Sequence, residues 1–392
     1  MAKMLARRLN PILPSMIHPD QVGFVPLRGA RDNTLRAINF LHISRVNSTP
    51  MLFLSVDPEK AFDRVDWSFL ITVLAKLGLG PRWLAWVSAL YSEEGCRITV
   101  NGTLSSPISV RNGTRQGCPL SPIRFIITLE PFLQRLRDNE CIQGYNAPLH
   151  EYKVSAFADD VLLTIIDPLQ SLPAFLQEVR LYAAVSNFKI NATKCEALGV
   201  DIPDATRIQI RSLFPFSWQS ETITYLGLRL PSDLTLLYTL NYEPLLHRVR
   251  SDLQAWDRPH FSWFGRINII KMSVLPKFLY LFQTLPIHVA PSFFNTLCSL
   301  FGKFIWADKH PRLAFHLLTR PKHRGGLSAP HMEYYYVAAL LLRLSDWSMS
   351  PPHKLWVPST KNSFKSPLSQ HPGKRPLTTL YARRPTRRYL RL

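Results

Sequence analysis

Hydrophobic and polar positions over the first 240 residues follow two different periods. Apolar residues recur at helical spacing over residues 30–46, so this segment is predicted to be an amphipathic helix. Residues 51–56 (MLFLSV) form a short apolar run that ends at Asp57, which is typical of a buried strand. Further helices are predicted over residues 67–78, 81–91, 123–137 and 169–188. Alternating patterns predict strands over residues 96–102, 106–113 and 223–230, the first two paired with each other.

The segment YKVSAFADDVLLTII, residues 152–166, predicts a strand, a tight turn and a second strand. Asp159 and Asp160 lie at the turn, between two apolar runs. Asp is a common turn residue, so a hairpin tip is the simplest explanation of the pair. Two adjacent carboxylates also repel each other unless a cation lies between them, so the same turn is a candidate metal site.

From about residue 240 the pattern becomes helical, and we find no strand pattern there. Helices are predicted over residues 241–256, 264–284 and 290–306, and they carry aromatic residues at helical spacing. Such aromatic stripes usually form a core. We therefore expect a mixed α/β part that is followed by a separate helical domain.

Charge adds a partner to this picture. The 392 residues carry a formal net charge of +20, which predicts binding to a polyanion, with nucleic acid as the default partner. Residues 350–392 hold ten Lys or Arg, no Asp or Glu and seven prolines, so half of the net charge lies in this tail. We expect the tail to be disordered, because such a composition buries little apolar surface. A non-native extension of the reading frame is the alternative.

Cysteine usage and hydropathy limit the compartment. The five cysteines form no CxxC pair and their number is odd, so no disulfide framework or zinc site is readable. This favours a reducing, intracellular setting, and we expect the nucleus and the cytoplasm. The basic N-terminal segment has no apolar run typical of a secretory signal, and no run of about 18 apolar residues predicts a transmembrane helix. We therefore expect no membrane partner.

Three segments suggest a phosphoryl-transfer site: SVDPEKAFDRV (55–65), NGTRQGCPLSP (112–122) and AFADDVLL (156–163). Carboxylate oxygens are the hard ligands that Mg²⁺ prefers. Two such ions about 4 Å apart can activate an attacking oxygen and stabilise a leaving one. A carboxylate at the end of one strand and a carboxylate pair on a neighbouring hairpin supply suitable ligands. We therefore predict that Asp57, Asp159 and Asp160 hold two Mg²⁺ ions.

In its order of motifs, the chain resembles the reverse transcriptases of LINE-type non-LTR retrotransposons (long interspersed elements) from about residue 19 to about residue 345. The landmarks are DQVGFVP, SVDPEKAFDRV, NGTRQGCPLSP, FADD, KINATKCEAL, YLGLRL, WFGRINIIKMSVLPKFLY, FIW and RGGL. FADD alone is a weak signal, but RQGCPLSP before it and GRINIIKM after it separate the chain from most other palm-type polymerases.

The resemblance implies an α+β fold of the right-hand polymerase type, in which fingers and a palm with an antiparallel sheet precede an α-helical thumb. Residues 1–50 would be partial fingers, and residues 51–235 would be the palm with inserted fingers elements. Residues 236–349 would be the thumb-like region, and residues 350–392 the basic tail. The implied activity is RNA-directed DNA synthesis, with template RNA, primer or target DNA and a dNTP as partners; the oligomeric state stays open.

Site roles are implied residue by residue. Asp57 resembles the first metal-binding aspartate, and Asp159 and Asp160 resemble the catalytic pair. Phe62 resembles the aromatic residue under the sugar, where a ring collides with a ribose 2′-hydroxyl; a simple core Phe is the alternative. An RNA-templated RNA polymerase would share the palm carboxylates, and Phe62 argues against this interpretation.

The Gly- and Pro-rich loop supplies the next candidates. Gln116 and Gly117 match the loop that packs against the incoming nucleotide and template, and Arg115 would assist there unless it is simply solvated. Arg28 resembles a fingers arginine that neutralises the triphosphate. The Gly that usually precedes it is Leu27 here, which weakens that match.

Lys194 resembles the lysine proposed to protonate the leaving pyrophosphate, with an exposed Lys at a strand start as the alternative. Leu226 and Gly227 resemble the primer grip, which shapes the backbone beside the primer strand. Lys60 and Arg64 are weaker candidates for phosphate contacts, because surface basic residues usually have no specific role.

Several segments of the family have no counterpart in this sequence. Relatives carry an apurinic-type endonuclease upstream, and some carry a Cys/His-rich C-terminal segment. Little chain precedes DQVGF, so we expect an N-terminally truncated member with part of the fingers missing. The alternative to an active polymerase is therefore a catalytically inactive, nucleic-acid-binding remnant of a decayed element.

Overall fold

The computed structural model describes residues 1–91, 95–147, 150–257, 261–349 and 354–357. The chain divides into two compact units, Met1–Gly227 and Leu228–Leu392. The tail that we expected to be disordered, residues 350–392, lies outside the described residues except for 354–357.

Most helices of the first unit bury one apolar face, whereas the helix over residues 30–47, predicted to be amphipathic, is buried on every side from Asp32 to Leu41. The helices of this unit are α1 (Ala2–Leu9), α2 (Leu13–Met16), α3 (Ala30–Asn47), α4 (Trp67–Lys76), α5 (Pro81–Ala89), α6 (Ser121–Asp138), α7 (Pro168–Ser186) and α8 (Asp204–Leu213). The predicted helices α3 to α7 are confirmed within a few residues at each end, whereas α1, α2 and α8 were not predicted. Asp66 caps α4 by accepting a hydrogen bond from the Phe69 amide at 2.8 Å.

Strands of the first unit are mostly short. They are β1 (Met51–Val56), β2 (Gly95–Cys96), β3 (Thr99–Val100), β4 (Thr103–Leu104), β5 (Ile108–Ser109), β6 (Tyr145–Ala147), β7 (His150–Tyr152), β8 (Val154–Phe157), β9 (Asp160–Ile165), β10 (Glu196–Val200), β11 (Ser217–Gln219) and β12 (Thr222–Tyr225). The predicted pairing of residues 96–102 with 106–113 is present as β2 with β5, while β3 pairs with β4 inside the same segment.

Among the described residues, five strands form the main sheet in the order β11-β10-β1-β9-β8. The apolar strand β1 lies at its centre and pairs antiparallel with both β10 and β9, which explains why MLFLSV is almost entirely buried. β8 and β9 form the predicted hairpin. The predicted antiparallel sheet is confirmed, except that β11 joins β10 in parallel.

Helices cover the sheet through a continuous apolar core. Phe132 and Leu133 of α6 and Phe175 of α7 belong to the same buried cluster as Leu54 and Leu163 of the two central strands. On β8, which lies at the edge, residues 20–22 cover the free backbone groups: Gln21 forms a parallel bridge with Ala156.

The second unit is helical after one strand. It contains β13 (Leu228–Pro231) and the helices α9 (Leu237–Ala255), α10 (Trp263–Ile269), α11 (Leu275–Thr284), α12 (Pro291–Trp306), α13 (Phe315–Thr319) and α14 (Met332–Ser348), with a π-helical turn over 270–274. Pro276 follows this turn and lacks the N–H that a continuous α-helix would use. Phe278, Phe282 and Phe293 pack in the core of this unit, as the aromatic stripe predicted.

Residues 223–230, predicted as one strand, are two strands, β12 and β13. Leu226 and Gly227 between them have positive φ angles of 50° and 73°, which interrupt extended backbone. None of the helices bounded above is both long and apolar enough to cross a bilayer.

Candidate functional site

The register of the main sheet brings the predicted carboxylates together. Val56 at the end of β1 pairs with Val161 of β9. Asp57 follows Val56 and Asp160 precedes Val161, so both carboxylates lie next to the last pair of the β1–β9 ladder. The charge of Asp57 acts on both Asp159 and Asp160, which places the three groups near one another. Asp159 lies beside them in the β8–β9 turn, so three carboxylates from distant parts of the chain share one end of the sheet.

Electrostatics in this cluster disfavour the ionised carboxylates. Burial and the charges of Asp159 and Asp57 raise the pKa of Asp160 to about 6. Burial, together with the charge of Asp57, also raises the pKa of Asp159. Over the described ranges, no cationic side chain forms an ion pair with any of the three. The cluster therefore has an uncompensated negative charge that a divalent cation would relieve.

The donor chemistry fits a divalent metal, because hard carboxylate oxygens are the ligands that Mg²⁺ takes. The side chains are nevertheless not drawn into one coordination cluster: in the part of the chain that the structure describes, no group of three or more His, Cys, Asp or Glu side chains is placed to hold an ion.

The main chain of Asp57 is held by the turn over residues 191–195. The Asp57 amide donates to Sγ of Cys195 at 3.3 Å, and the Asn191 amide donates to the Asp57 carbonyl at 2.8 Å. Burial raises the pKa of the Cys195 thiol to about 11, so it stays protonated. Lys194 lies in the same turn and is exposed. The structure thus places the predicted general acid one residue from a direct contact of Asp57.

Phe62 lies between the core and solvent. Its ring stacks on Phe125 with centroids 4.4 Å apart and makes an edge-to-face contact with Phe24, with centroids 6.4 Å apart. The Phe62 carbonyl accepts a hydrogen bond from the Thr114 amide at 2.9 Å, and Gly113 donates to Val65 at 2.8 Å. The segment after Asp57 and the Gly-rich loop, predicted to converge, are therefore packed together. The half-buried ring fits both the core alternative and the predicted sugar contact, whose role stays a prediction.

The tip of the Gly-rich loop is accessible. Arg115, Gln116 and Gly117 are exposed, and Gly117 has a φ of 79° with open space where a side chain would begin. The Arg115 carbonyl accepts from Oγ of Ser121 at 2.8 Å, which ties the loop to the start of α6. The predicted nucleotide-binding residues of this loop are thus exposed to solvent, while a hydrogen bond to α6 holds the loop backbone.

Arg28 has a different environment from the predicted one. Its Nη1 donates to the carbonyls of His18 at 2.6 Å and Gln21 at 2.8 Å. Its Nη2 donates to the carbonyls of Pro14 at 2.9 Å and Ile17 at 3.0 Å. Arg28 therefore fixes the backbone of residues 14–21, which leads to the edge strand β8. The predicted contact with a triphosphate stays a prediction and would compete with these four bonds.

The predicted primer grip, Leu226 and Gly227, follows β12 at the end of the first unit. Tyr225 just before it is buried, and its hydroxyl donates to the Ser155 carbonyl of β8 at 2.9 Å. Nδ2 of Asn33 donates to the same hydroxyl at 3.1 Å. The turn is thereby fixed relative to the strand that leads into Asp159 and Asp160.

Sequence reasoning missed two residues that bond to the backbone at or beside the aspartates, Gln21 at Ala158 and Cys195 at Asp57. Gln21 lies within DQVGFVP and Cys195 within KINATKCEAL, so both residues belong to motifs that the sequence analysis had singled out. A polar residue in a motif does not reveal its hydrogen-bond partners, which come from segments more than 130 residues away in both cases.

Comparison with known proteins identifies the family. Residues 1–230 match the model of the family described as reverse transcriptase (RNA-dependent DNA polymerase). An uncharacterized 149 kDa protein of transposon TX1 from Xenopus laevis is 32% identical over 317 residues, which cover 79% of this chain and 23% of that protein. A retrovirus-related Pol polyprotein of type-1 retrotransposable element R2 from Popillia japonica is 27% identical over 290 residues, 71% of this chain and 39% of that protein.

A third relative is the Pol polyprotein of type-2 retrotransposable element R2DM from Drosophila melanogaster, 27% identical over 203 residues that cover 50% of this chain and 19% of that protein. This chain thus spans between about a fifth and two fifths of the length of these relatives. The matches confirm the predicted resemblance to reverse transcriptases of non-LTR retrotransposons.

Among solved structures, a telomerase from Candida albicans in complex with a fragment of telomeric RNA is similar, with a TM-score of 0.44, 14% identity and coverage of 93% of this chain and 53% of that one. A telomerase complex from Candida tropicalis gives a TM-score of 0.46, 12% identity and coverage of 91% and 55%. These scores are low, so the assignment follows from the sequence match. That match spans Asp57, Asp159, Asp160 and the Gly-rich loop over residues 112–122. This chain therefore belongs to the reverse transcriptase (RNA-dependent DNA polymerase) family.

Proposed function

We propose that this chain catalyses RNA-directed DNA synthesis for a retrotransposon, extending a primer 3′-hydroxyl with dNTPs on an RNA template. The observation that supports the proposal is the β1–β9 register, which ends at the pair Val56–Val161, the immediate neighbours of Asp57 and Asp160. Family membership supports the reaction class, and the net charge of +20 supports nucleic-acid partners.

Reverse transcriptases generally use divalent metal ions, and we propose two Mg²⁺ ions here. Asp57, Asp159 and Asp160 would hold them, because they are the carboxylates at this end of the sheet and lack cationic partners among the described residues. When bound, such ions make the attacking hydroxyl more acidic and stabilise the charge on the leaving group. The raised pKa of Asp160 fits a ligand whose ionised form is stabilised only by a cation.

Residues around the carboxylates would orient the nucleotide. The partly exposed ring of Phe62, fixed by its stack on Phe125, would leave no room for a ribose 2′-hydroxyl and so select deoxynucleotides. Arg115, Gln116 and Gly117 on the exposed loop would pack against the incoming nucleotide and the template. Sequence would be read by base pairing, so the loop needs shape and charge rather than base-specific contacts.

Lys194 would supply the proton that the leaving pyrophosphate takes up. Its turn is bonded to the main chain of Asp57, and its exposed side chain is free of the ion pairs found for other lysines of the described chain. Leu226 and Gly227 would lie along the primer strand, and Arg28 would approach the triphosphate only by giving up carbonyl contacts. We further propose an intracellular location in the nucleus and cytoplasm.

Primer extension tests this function. The full chain is incubated with an RNA template, a DNA primer, dNTPs and Mg²⁺, and the double variant Asp159→Asn with Asp160→Asn is compared with it. Losing metal-mediated charge stabilisation of about 4 kcal/mol predicts a rate at least about 10³-fold lower. The matched control, Asp138→Asn with Glu140→Gln, removes two exposed acidic charges elsewhere and should extend normally. Chelation of divalent ions should abolish extension.

Two results would contradict the proposal. Extension that survives the double variant would place the chemistry elsewhere in the chain. Salt-sensitive binding of the primed RNA without any incorporation by the unchanged chain, under any divalent metal, would instead support the inactive nucleic-acid-binding remnant.

A further inference from the structure

We propose that Gln21 is a positioning residue that fixes the turn carrying Asp159 and Asp160. Its effect on catalysis rests on the proposed function, whereas its effect on the turn does not. Gln21 touches neither carboxylate through any described hydrogen bond; it acts on the residue that immediately precedes them.

The geometry is a closed set of hydrogen bonds around one side chain. Gln21 is 0% exposed. Its Oε1 accepts from the Ala158 amide at 3.0 Å and from the Gly23 amide at 2.8 Å, and its Nε2 donates to the Ala158 carbonyl at 3.3 Å. One primary amide therefore binds both the N–H and the C=O of Ala158, as a paired backbone strand would do.

Ala158 needs such support because its backbone is unusual. Its φ is 53°, in the left-handed region that residues with a side chain seldom occupy. Strained turn residues of this kind persist where their surroundings determine the conformation. Gln21 fixes the amide and the carbonyl on both sides of the Ala158 Cα, so the direction in which the chain continues to Asp159 is fixed as well.

Gly23 permits the close approach. A Cβ at this position would lie 2.3 Å from the Ala158 amide nitrogen, so only glycine fits against the turn. The neighbouring backbone is anchored to β8, since Val22 donates to the Ala156 carbonyl at 2.9 Å and Ala156 donates to the Asp20 carbonyl at 3.0 Å. These bonds hold the Gln21 backbone beside Ala156 near the end of β8, and from there its side chain reaches the turn.

A purely structural role would be to cover the edge of β8, but other groups already do this. The backbone of residues 20–22 pairs with the edge, and Nδ2 of Asn33 donates to the Ala156 carbonyl at 2.8 Å. The Gln21 side chain reaches past the strand and binds the turn. Its bonds are therefore placed to hold the aspartates rather than the sheet.

The experiment compares two substitutions in the full chain. Gln21→Met keeps the length and volume and removes all three hydrogen bonds, whereas Gln21→Glu keeps an acceptor oxygen and replaces the amide donor by the O–H of a protonated carboxyl. Leu172→Ala, a truncation of a fully buried side chain on α7, serves as a control for lost stability. Hydrogen exchange of the Ala158 amide and steady-state kcat and KM are measured at a temperature where all variants are folded.

Gln21→Met should increase exchange of the Ala158 amide at least about tenfold while central amides of β1 keep their protection. The kcat of Gln21→Met should be at least about tenfold lower than that of Leu172→Ala, with a smaller change in KM. The kcat of Gln21→Glu should lie between those of Gln21→Met and the unchanged chain. Unchanged exchange at Ala158, or a kcat that follows stability in both sets of variants, would overturn the proposal. If the unchanged chain does not extend primers, the proposed function fails, and exchange at Ala158 still decides the role of Gln21. If Gln21→Met does not fold, Gln21→Glu gives the same exchange test.

Discussion

Replacing Asp20 with Asn should destabilise the first unit, because the carboxylate is one half of a buried ion pair. Asp20 is 2% exposed. Its Oδ1 and Oδ2 accept from Nη2 and Nε of Arg137 at 2.6 and 2.8 Å, a two-pronged contact between two planar groups. His18 Nδ1 lies 3.1 Å from the same carboxylate. Asn keeps the size of the side chain, so the substitution removes the charge without opening a cavity.

The size of the effect follows from burial. The Arg137 side chain is only 11% exposed, so it would lose its main counter-charge in a place with little water, although Glu130 still accepts from its Nη1 at 2.7 Å. Breaking one side of a buried pair costs about 3–5 kcal/mol. Because Asn retains one acceptor oxygen and Glu130 remains, we expect the lower end, about 3 kcal/mol. For a unit of this size that lowers Tm by about 6–12 °C.

The effect should also depend on pH in a defined direction. Burial alone would raise the pKa of Asp20, but the hydrogen bonds and charges of His18 and Arg137 outweigh it and hold the pKa well below the ordinary value of 3.8. A carboxyl with a lowered folded pKa contributes stability that is fully present above its unfolded pKa and is lost as the pH falls towards the folded pKa. The difference between the unchanged chain and Asp20→Asn should therefore be fully present at about pH 5 and shrink below about pH 4.

Thermal and urea unfolding, followed by circular dichroism across this pH range, would measure the difference. Asp204→Asn is the matched control: its side chain is 92% exposed and lies 3.8 Å from Arg207, so the cost should stay below about 0.5 kcal/mol. A loss of less than about 1 kcal/mol for Asp20→Asn at pH 7 would refute the argument. So would a difference that persists unchanged in acid.

Three further outcomes are expected. Phe62→Ala should raise the ratio of ribonucleotide to deoxynucleotide kcat/KM at least about tenfold, since the ring beside the site is removed, whereas the exposed Phe264→Ala should leave the ratio unchanged. Gly113→Ala should cost at least about 2 kcal/mol in urea unfolding, because its φ is 91° and a Cβ would lie 2.7 Å from the Asp63 carbonyl oxygen; Gly302→Ala in α12 meets nothing within 4 Å and should stabilise by about 0.5 kcal/mol. Binding of an RNA–DNA duplex, followed by fluorescence anisotropy, should weaken at least about tenfold between 50 and 200 mM salt, and salt-independent binding would contradict a phosphate-based interface.

Elements with a strong period could be predicted from the sequence. The apolar run of β1 and the hairpin of β8 and β9 have patterns that allow one main interpretation, and the structure has them at the predicted positions. Ligand chemistry predicted that Asp57 would lie near Asp159 and Asp160, and the β1–β9 ladder ends at Val56 and Val161, their immediate neighbours. That the three carboxylates hold metal ions stays a prediction. Residue roles in catalysis stay predictions, because geometry without substrate does not test them.

Short elements escaped prediction for a physical reason. β10 reads EALGV, five residues with a Gly and a Glu, and its burial comes from pairing with β1 rather than from its own pattern. α1 and α8 are short, with eight and ten residues, and isolated helices of that length are marginal in water, so their stability depends on the unit that they cover. Local sequence does not contain these partners, so propensity alone could not reveal the elements.

Polar residues on α3 show the same limit from the opposite direction. Arg36 is 1% exposed on a helix predicted to be amphipathic, and its Nη2 donates to the Asp20 carbonyl at 3.0 Å and to Asn33. The sequence shows a charged residue on a helix, which usually faces water. The burial of Arg36 depends on tertiary partners, such as the Asp20 carbonyl, that its own helix does not contain.

These observations separate two kinds of support for the carboxylate cluster. The sheet and its apolar helices fix where β1 and β9 lie, whereas buried polar contacts of Asp20 and Gln21 fix the edge strand and the turn. Hydrogen bonds are directional and apolar contacts are not, so loss of a polar contact changes orientation as well as stability. Truncations in the apolar core should therefore lower Tm while leaving the activity of the folded fraction intact. Substitutions of Asp20 or Gln21 should lower activity by more than the loss of folded protein explains.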